Sequence, residues 1–417
     1  MTETKKTKIL VLSDDFRAAS GVAHMTRQMV TGLIKTGRYE FVYLCGAIKH
    51  PDYRPIRLEE FGDALTLIPV QGYGTDALLR TIIHEHRPDV LWFMTDPRYY
   101  EWLWFISNEF RPQVPMVYYH VWDNYPVPDY NRKFYLSNDV VVSISKLTED
   151  IVKTTTPEVR HVYLPHAFDM DVFKRLPKSD VDALRRKSFG DKKFVCFWNN
   201  RNAGRKQSGT LIFWWAKFLE VVGRENAVLL MHTEPKDPVG QDLEAIIQHL
   251  GLTNGEVIFS NQKLDHRDVA MLYNISDVTT TISYAEGFGL SVGESLCCET
   301  PVIAVKTGGI TDQMTDGKDV FGWLLEPTVT CVVGGQDIPY INEDRISEEQ
   351  FLAALLEAYN TPKERLDEIG ELGRAYMEKS FNAKDYTPAW DRVFQDVMND
   401  FGSWPNRNYQ RWTVGSF

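Results

Sequence analysis

No apolar run in this chain approaches the ~20 residues that carry a helix across a bilayer. No export core is present either. The short apolar stretch KILVLSD (8–14) behind the first lysines is too brief for a signal peptide and reads as a first strand. The expected compartment is the cytoplasm, with peripheral contact at a membrane left open, although no convincing basic amphipathic surface is seen. Cysteine is scarce: Cys45, Cys196, Cys297, Cys298 and Cys331, five in 417 residues. The number is odd and the spacing is not that of a zinc site, so neither a disulfide framework nor a structural metal is expected. Excess positive charge is lacking too. Lys and Arg total 46 against 57 Asp and Glu, a net charge of −11. Duplex-binding proteins usually carry the opposite sign, though a local basic patch can still hold an anion. There is no G-x-x-x-x-G-K-[ST] phosphate loop, no internal repeat and no low-complexity tract.

What is there is a rhythm of strand, loop and helix. KILVLSD is followed by a helical pattern from about Val22 to Lys35, a stop at Gly37 and a strand at YEFVYLC (39–45). DVLWFM (89–94), PMVYYHV (115–121) and DVVVSIS (139–145) are further apolar runs, as expected of parallel strands buried on both faces. LPHAFDMDVFKRLP (164–177) breaks the pattern and reads as an interdomain linker. The rhythm then restarts with KFVCFWN (193–199), a helix from Ser208 to about Val222, AVLLMH (227–232) and a helix at DLEAIIQHL (242–250) capped by Gly251. EVIFS, DVTTTIS and PVIAV are three short strands. Residues 331–347 read as a loop insertion. The helical pattern from Glu348 to about Asn399 is expected to be interrupted near Pro362 and Pro388. Two α/β halves of similar size then leave a cleft, with ligands expected beyond the carboxyl ends of the strands.

The stretch SYAEGFGLSVGESLCCETPVIAV (283–305) reads as the middle of a βαβ unit. Its loop opens onto a helix N-terminus, where unpaired N–H groups and the helix dipole favour an anion. Gly287 and Gly289 allow close backbone approach, with Phe288 and Leu290 beside them. Glu286 lies in the loop and Glu294 in the early turns of the helix. A carboxylate accepts hydrogen bonds from neighbouring hydroxyls, so two of them bracketing an anion site suit a phosphate placed between two polyols, as in a nucleotide sugar. Taken singly, each glutamate is equally explained as a helix-start or loop residue. In FWNNRNAGRKQSG (197–209), Arg201, Arg205 and Lys206 follow a strand and precede a helix, a position that suits a diphosphate. In MVYYHVWDNYP (116–126), His120 ends a strand with Asp123 behind it, where it can bond a substrate hydroxyl or serve as a satisfied core histidine. Ser20 and Gly21 open the first long helix as a second candidate anion loop, or as a plain helix start. RYYEWLWFISNEF (98–110) reads as an amphipathic helix with an aromatic stripe facing the core, ahead of the alternative of an acceptor- or membrane-facing surface.

These residues resemble the retaining glycosyltransferases of family 4, which have the GT-B fold. E-G-F-G, the second glutamate after seven intervening residues, P-V-I-A and the segment Gly308-Gly309-Ile310 carry the likeness. Arg201 with Lys206, His120 with Asp123 and the segment LPHAFDMDVF extend it over most of the chain. Three departures stand out. A single glycine, Gly21, stands where the family often has two. His166 replaces a common Asn. Ser295 to Glu299 replaces a run of small residues ending in Gly.

The resemblance implies an α/β chain of two Rossmann-like doubly wound domains facing each other across a cleft. The expected divisions are an acceptor-side domain over 1–168, a nucleotide-sugar domain over 169–385, and a helix and tail over 386–417 returning to the first domain. It implies Glu294 on the ribose hydroxyls and Glu286 on those of the transferred sugar. Arg201 and Lys206 would stabilise charge on the leaving diphosphate, with Gly287, Phe288, Gly289, Leu290, Arg205 and Gly21 as further donor contacts and His120 positioning sugar or acceptor. No metal or other cofactor is implied. The co-substrate would be a UDP-, GDP- or ADP-type sugar, and its anomeric configuration would be retained. The acceptor would be a glycan, a lipid-linked sugar or a metabolite, with a nucleic-acid base ranked behind these. A catalytically silent nucleotide- or glycan-binding protein and a sugar-nucleotide epimerase of the same fold are the alternatives. Oligomeric state is not legible.

Overall fold

A computed structural model describes residues 5–192 and 194–409. Lys193, the first residue of the strand expected at 193–199, and residues 410–417 of the expected tail lie outside the described residues. The chain divides into two compact units. The first holds the chain up to Ala167, Gly335–Pro339 and the segment from Lys384 on. The second holds Phe168–Gly334 and Tyr340–Ala383.

The first unit runs β1 (Thr7–Asp14), α1 (Gly21–Lys35), β2 (Tyr39–Gly46), β3 (Ile56–Arg57), β4 (Leu65–Pro69), α2 (Asp76–His86), β5 (Val90–Thr95), α3 (Glu101–Phe110), β6 (Met116–His120), α4 (Arg132–Leu136), β7 (Val140–Ser143), α5 (Lys146–Thr155) and β8 (Arg160–Tyr163). Its sheet has the order β3-β4-β2-β1-β5-β6-β7-β8, parallel except for β3. The order reverses between β1 and β5, which is the doubly wound pattern. β1 is buried from Ile9 to Asp14, as an unalternating apolar run requires of a central parallel strand. Ser20 caps α1 by accepting a bond from the Ala23 N–H. In α3, Leu103, Trp104, Ser107 and Phe110 are buried, and Trp104 meets Phe93 and Tyr118 edge to face at 4.9 and 5.4 Å. Trp104 and Phe110 therefore face the core, whereas Phe105 of the same helix is exposed.

The second unit continues with α6 (Lys178–Phe189), β9 (Phe194–Asn199), α7 (Ser208–Val222), β10 (Ala227–His232), α8 (Leu243–Leu250), β11 (Val257–Ser260), α9 (His266–Asn274), β12 (Val278–Thr281), α10 (Leu290–Cys297), β13 (Val302–Val305), α11 (Ile310–Met314), β14 (Gly322–Leu325), β15 (Val329–Val333), β16 (Ile341–Arg345), α12 (Glu348–Asn360) and α13 (Lys363–Ser380). Its six strands are all parallel in the order β11-β10-β9-β12-β13-β14. The reversal here falls between β9 and β12, so the loops after these two strands emerge side by side. α8 is capped by Asp242 and ends at Gly251, whose φ of 61° meets the left-handed requirement of that position.

Two expectations are corrected. Residues 331–347 are not a plain loop, because β15 and β16 pair antiparallel from Val329↔Arg345 to Val333↔Ile341. Pro388 does not interrupt the last helix. α14 (Ala383–Asp400) runs through it, held by Tyr386, Trp390 and Phe394, which are buried in the first unit. Trp390 stands edge-on to Trp92 at 5.6 Å. The lost N–H falls in an early turn, and packing outweighs it. The break comes earlier, where Phe168 donates to the Phe381 carbonyl at 2.8 Å and accepts from the Ala383 N–H at 2.9 Å. α14 starts at Ala383, and the first unit takes up the chain again from Lys384.

The departure at Glu299 has a visible cost. Glu299 sits at φ 59° after α10, the left-handed position where the family pattern has Gly. Its carbonyl is approached so closely by Gly370 of α13 that a Cβ there would lie 2.1 Å away. The helices pack through the small residue on the opposite side.

Candidate active site

The site begins with the topology. Because β9 and β12 are neighbours, with Val278 opposite Cys196 and Thr279 opposite Phe197, the loops 200–207 and 282–289 share one edge of the sheet. Tyr284 N–H donates to the Arg205 carbonyl at 3.0 Å, and the Arg205 guanidinium donates to the Ala285 carbonyl at 2.9 Å. The two loops are thus tied through their backbones.

This tie brings charge together. Glu286 is 5% exposed. Its carboxylate pairs with Lys206 and lies 3.1 Å from the Arg205 guanidinium. Burial pushes the Glu286 carboxyl up, but the Arg205 and Lys206 charges, with hydrogen bonds from Lys206 and Ser283, more than offset it and hold it at about 2. It is a carboxylate at any physiological pH.

Glu294 has the opposite setting. It sits on the second turn of α10, where its Oε2 accepts from the Tyr273 hydroxyl at 2.8 Å and from the Asn199 amide at 3.3 Å. Asn199 also donates to the Tyr273 hydroxyl at 2.8 Å. Burial raises its carboxyl to about 7, opposed only by the Tyr273 hydrogen bond. Two glutamates eight residues apart are therefore shifted in opposite directions, one lowered by cations and one raised by desolvation.

Between them, Gly287 to Leu290 form the turn into α10. Gly289, the residue before the helix, has φ 88°, a conformation L side chains rarely adopt. Gly309 comes so near this turn that a Cβ on it would stand 2.5 Å from the Gly287 carbonyl. The Gly309 N–H donates to the Glu286 carbonyl at 3.0 Å, and Gln313 Nε2 donates to the Phe288 carbonyl at 2.5 Å. Backbone and side-chain contacts hold this loop from both sides at the N-terminus of α10.

Arg201 is not drawn into this cluster. Its guanidinium is 66% exposed and bonds Asp237 bidentately at 2.7 and 3.1 Å. His120 and Gly21 belong to the first unit. His120 is 0% exposed. Its Nε2 is 2.8 Å from the Tyr135 hydroxyl, its Nδ1 is buried with no hydrogen-bond partner among the described residues, and burial lowers its pKa to about 3. The ring is neutral near pH 7, with a single N–H. Gly21 is the exposed first residue of α1. His166 is likewise buried and neutral, with Nδ1 2.8 Å from the Tyr119 hydroxyl.

Asn199, Tyr273 and Asp237 were not foreseen as partners of these groups. Asn199 ends its strand, the place where such a residue is best sought. Tyr273 on α9 and Asp237 behind β10 have no local signature. Among the described residues no cluster of His, Cys, Asp and Glu is suited to a metal, and no helix is long and apolar enough to cross a membrane.

Residues 219–331 match the family model described as glycosyl transferases group 1. Among curated proteins, the D-inositol 3-phosphate glycosyltransferase of Xylanimonas cellulosilytica is 27% identical over 199 residues, 46% of this chain and 45% of that protein. The N-acetyl-alpha-D-glucosaminyl L-malate synthase of Bacillus anthracis is 24% identical over 133 residues, 32% of this chain and 29% of that protein. The matched regions thus cover less than half of these relatives. Among solved structures, sucrose-phosphate synthase from Thermosynechococcus elongatus superposes with a TM-score of 0.75 at 16% identity, over 94% of this chain and 100% of that one. Anabaena HepE in complex with UDP-glucose gives 0.68 at 18% identity, over 93% and 99%. The fold is GT-B.

Proposed function

We propose that this group 1 glycosyltransferase-family chain of GT-B fold moves a sugar from a nucleotide-sugar donor to an acceptor hydroxyl, with retention of anomeric configuration. The observation that carries the reading is the joining of Lys206 and Arg205 to Glu286 at the mouth of α10, with Glu294 one helix turn further on.

In this reading Glu294 accepts bonds from the ribose hydroxyls, and Glu286 from hydroxyls of the transferred sugar. The diphosphate lies over the turn Gly287-Phe288-Gly289-Leu290 and takes N–H groups from the start of α10. Lys206 and Arg205 supply positive charge there. Arg201 joins them when it leaves Asp237. As the anomeric carbon–oxygen bond to the diphosphate breaks, the electron pair passes to the phosphate oxygen, where these cations stabilise it. The acceptor oxygen forms the new bond from the same face, and its proton passes to the departing phosphate. The side chains take the part a divalent ion plays in other transferases, so turnover should persist in EDTA. His120 enters as a neutral ring that shapes the first unit through Tyr135, not as a proton carrier.

A UDP-sugar is the first donor to try, because HepE, similar in fold, was solved with UDP-glucose; GDP- and ADP-sugars follow. The acceptor is a hydroxyl on a glycan, a lipid-linked sugar or a metabolite, with a nucleic-acid base behind these. The domain limits follow the same reading, with the donor on 169–385 and the acceptor on 1–168. The test is a thermal-shift screen against UDP-, GDP-, ADP- and dTDP-sugars, followed by assay of nucleoside diphosphate release. Stabilisation by one nucleotide class, with slow release that acceptor accelerates, supports transfer. Binding without any release points to a silent binding protein, and donor isomerisation without acceptor to an epimerase. No binding at all removes the reading.

A further inference from the structure

The β15–β16 hairpin lies outside the helix-and-strand rhythm, yet it is fastened to the loop that carries Glu286. Asp344 on β16 donates its backbone N–H to the Tyr284 carbonyl at 2.8 Å. Its side chain accepts from the Thr307 hydroxyl at Oδ2, 2.8 Å away, and from the Thr330 hydroxyl at Oδ1, 3.0 Å away. The Arg345 guanidinium lies over the Tyr284 ring at 4.5 Å. Thr307 lies two residues beyond β13 and two residues before Gly309, whose N–H holds the Glu286 carbonyl at 3.0 Å. Thr307 Oγ1 also approaches the Tyr284 carbonyl at 3.4 Å.

The backbone of Glu286 is therefore gripped on both sides. Upstream, the Tyr284 carbonyl is bonded by Asp344. Downstream, the Glu286 carbonyl is bonded by the turn that Thr307 begins. Both grips meet at Asp344. Glu294, by contrast, is set by Tyr273 and Asn199 and shares none of these partners.

We propose that Asp344 is a positioning residue that, through Thr307 and Tyr284, fixes the placement of Glu286 and so governs recognition of the sugar half of the donor while leaving the nucleotide half alone. The inference rests on the proposed role of Glu286. It makes the hairpin a determinant of donor sugar selection. A loop shift near an ångström at Glu286 misplaces its carboxylate against a hydroxyl, since such bonds weaken steeply with distance and angle.

The test compares UDP and UDP-glucose by calorimetry on the full chain. In Asp344→Ala the ratio of the dissociation constants of UDP-glucose and UDP should rise about tenfold, the loss of roughly one well-made hydrogen bond, with UDP itself changed less than about twofold. Thr307→Val should shift the ratio in the same direction, and the double variant should add little, because the two side chains act as one unit. Asp344→Asn keeps an acceptor oxygen for Thr307 and should restore the ratio to within about twofold. Unchanged UDP affinity shows that the variants are folded. Parallel loss of both ligands makes Asp344 a general support of the fold and overturns the inference, as does an unchanged ratio in Asp344→Ala. If wild type binds neither ligand, the donor reading fails first and the inference falls with it.

Discussion

Lys206 and Glu286 stand 80 positions apart in the chain and meet as an ion pair whose side chains are 12% and 7% exposed. The adjacency of β9 and β12 makes the pair, and α10 begins beside it. Removing the cation leaves a nearly buried carboxylate with only Arg205 close by, so the Glu286 carboxyl should rise. Lys206→Ala is expected to lower kcat by about a hundredfold or more, the usual scale for a lost transition-state contact to developing charge. Nucleotide affinity should fall less than about tenfold. Steady-state kinetics with the preferred donor, beside binding of the nucleoside diphosphate, checks the split.

Glu286 also predicts an acid limb in stability. Its folded value of about 2 lies below the ordinary 4.5, so its contribution is present above about 4.5 and is lost as pH falls towards 2. Denaturant unfolding between pH 3 and pH 6 should show a shallower loss on acidification in Glu286→Gln than in wild type.

Glu294 predicts a pH dependence of binding. Burial raises its carboxyl to about 7; Oε2 is already bonded by Tyr273 and Asn199, and the ionised form is the stronger acceptor for ribose hydroxyls. Donor affinity should rise with pH up to about 7 and level off above it, approaching about tenfold per unit on the acid side. The sign for folding is opposite: a raised carboxyl stabilises below 4.5, and that contribution is lost as pH rises through 7. Calorimetry from pH 5.5 to pH 8.5 should show the slope in wild type and a flat, weaker profile in Glu294→Gln.

Arg201, largely exposed, pairs outside the cluster with Asp237, whose side chain is mostly covered. A diphosphate must draw Arg201 away from that carboxylate, at a cost of about 0.2–1 kcal/mol for a surface pair. Asp237→Ala should therefore tighten donor binding by up to about fivefold, and the gain should shrink in high salt. Weaker binding would place Arg201 elsewhere in the reaction.

The sequence made some of this legible and not the rest, for physical reasons. The helix Ser208–Val222 and the Gly251 cap were readable because periodicity and capping are local. The charged loops after β9 and β12 were readable as strand ends, and their approach follows once the strand order is known. The partners that tune them were not. Tyr273 reaches Glu294 across 21 positions and Asp237 reaches Arg201 across 36, with no pattern connecting them. The hairpin at 329–345 was missed because its strands are short and half exposed, without the alternation of a buried face. Pro388 misled because tertiary packing of Trp390 and Phe394 overrides a local helix breaker. His120 had the right position for a site residue, but its burial against Tyr135 could not be read from the strand that carries it.

For His120, neutral with a value near 3, no histidine limb from this group is expected in the pH–rate profile. Replacing it with Phe removes its bond to the Tyr135 hydroxyl and should cost roughly 1–3 kcal/mol of stability. Donor affinity should stay unchanged. Chemical denaturation and donor titration of the variant give the two numbers.

The central claim is that Glu294 and Lys206 grip one nucleotide sugar from two sides. It is tested most directly by measuring affinity for the preferred donor in wild type, Glu294→Ala and Lys206→Ala. The expected result is a loss of about tenfold or more in Glu294→Ala, with a smaller loss in Lys206→Ala whose larger defect appears in turnover. Wild-type affinity and wild-type turnover in both variants would place the donor somewhere else on the molecule.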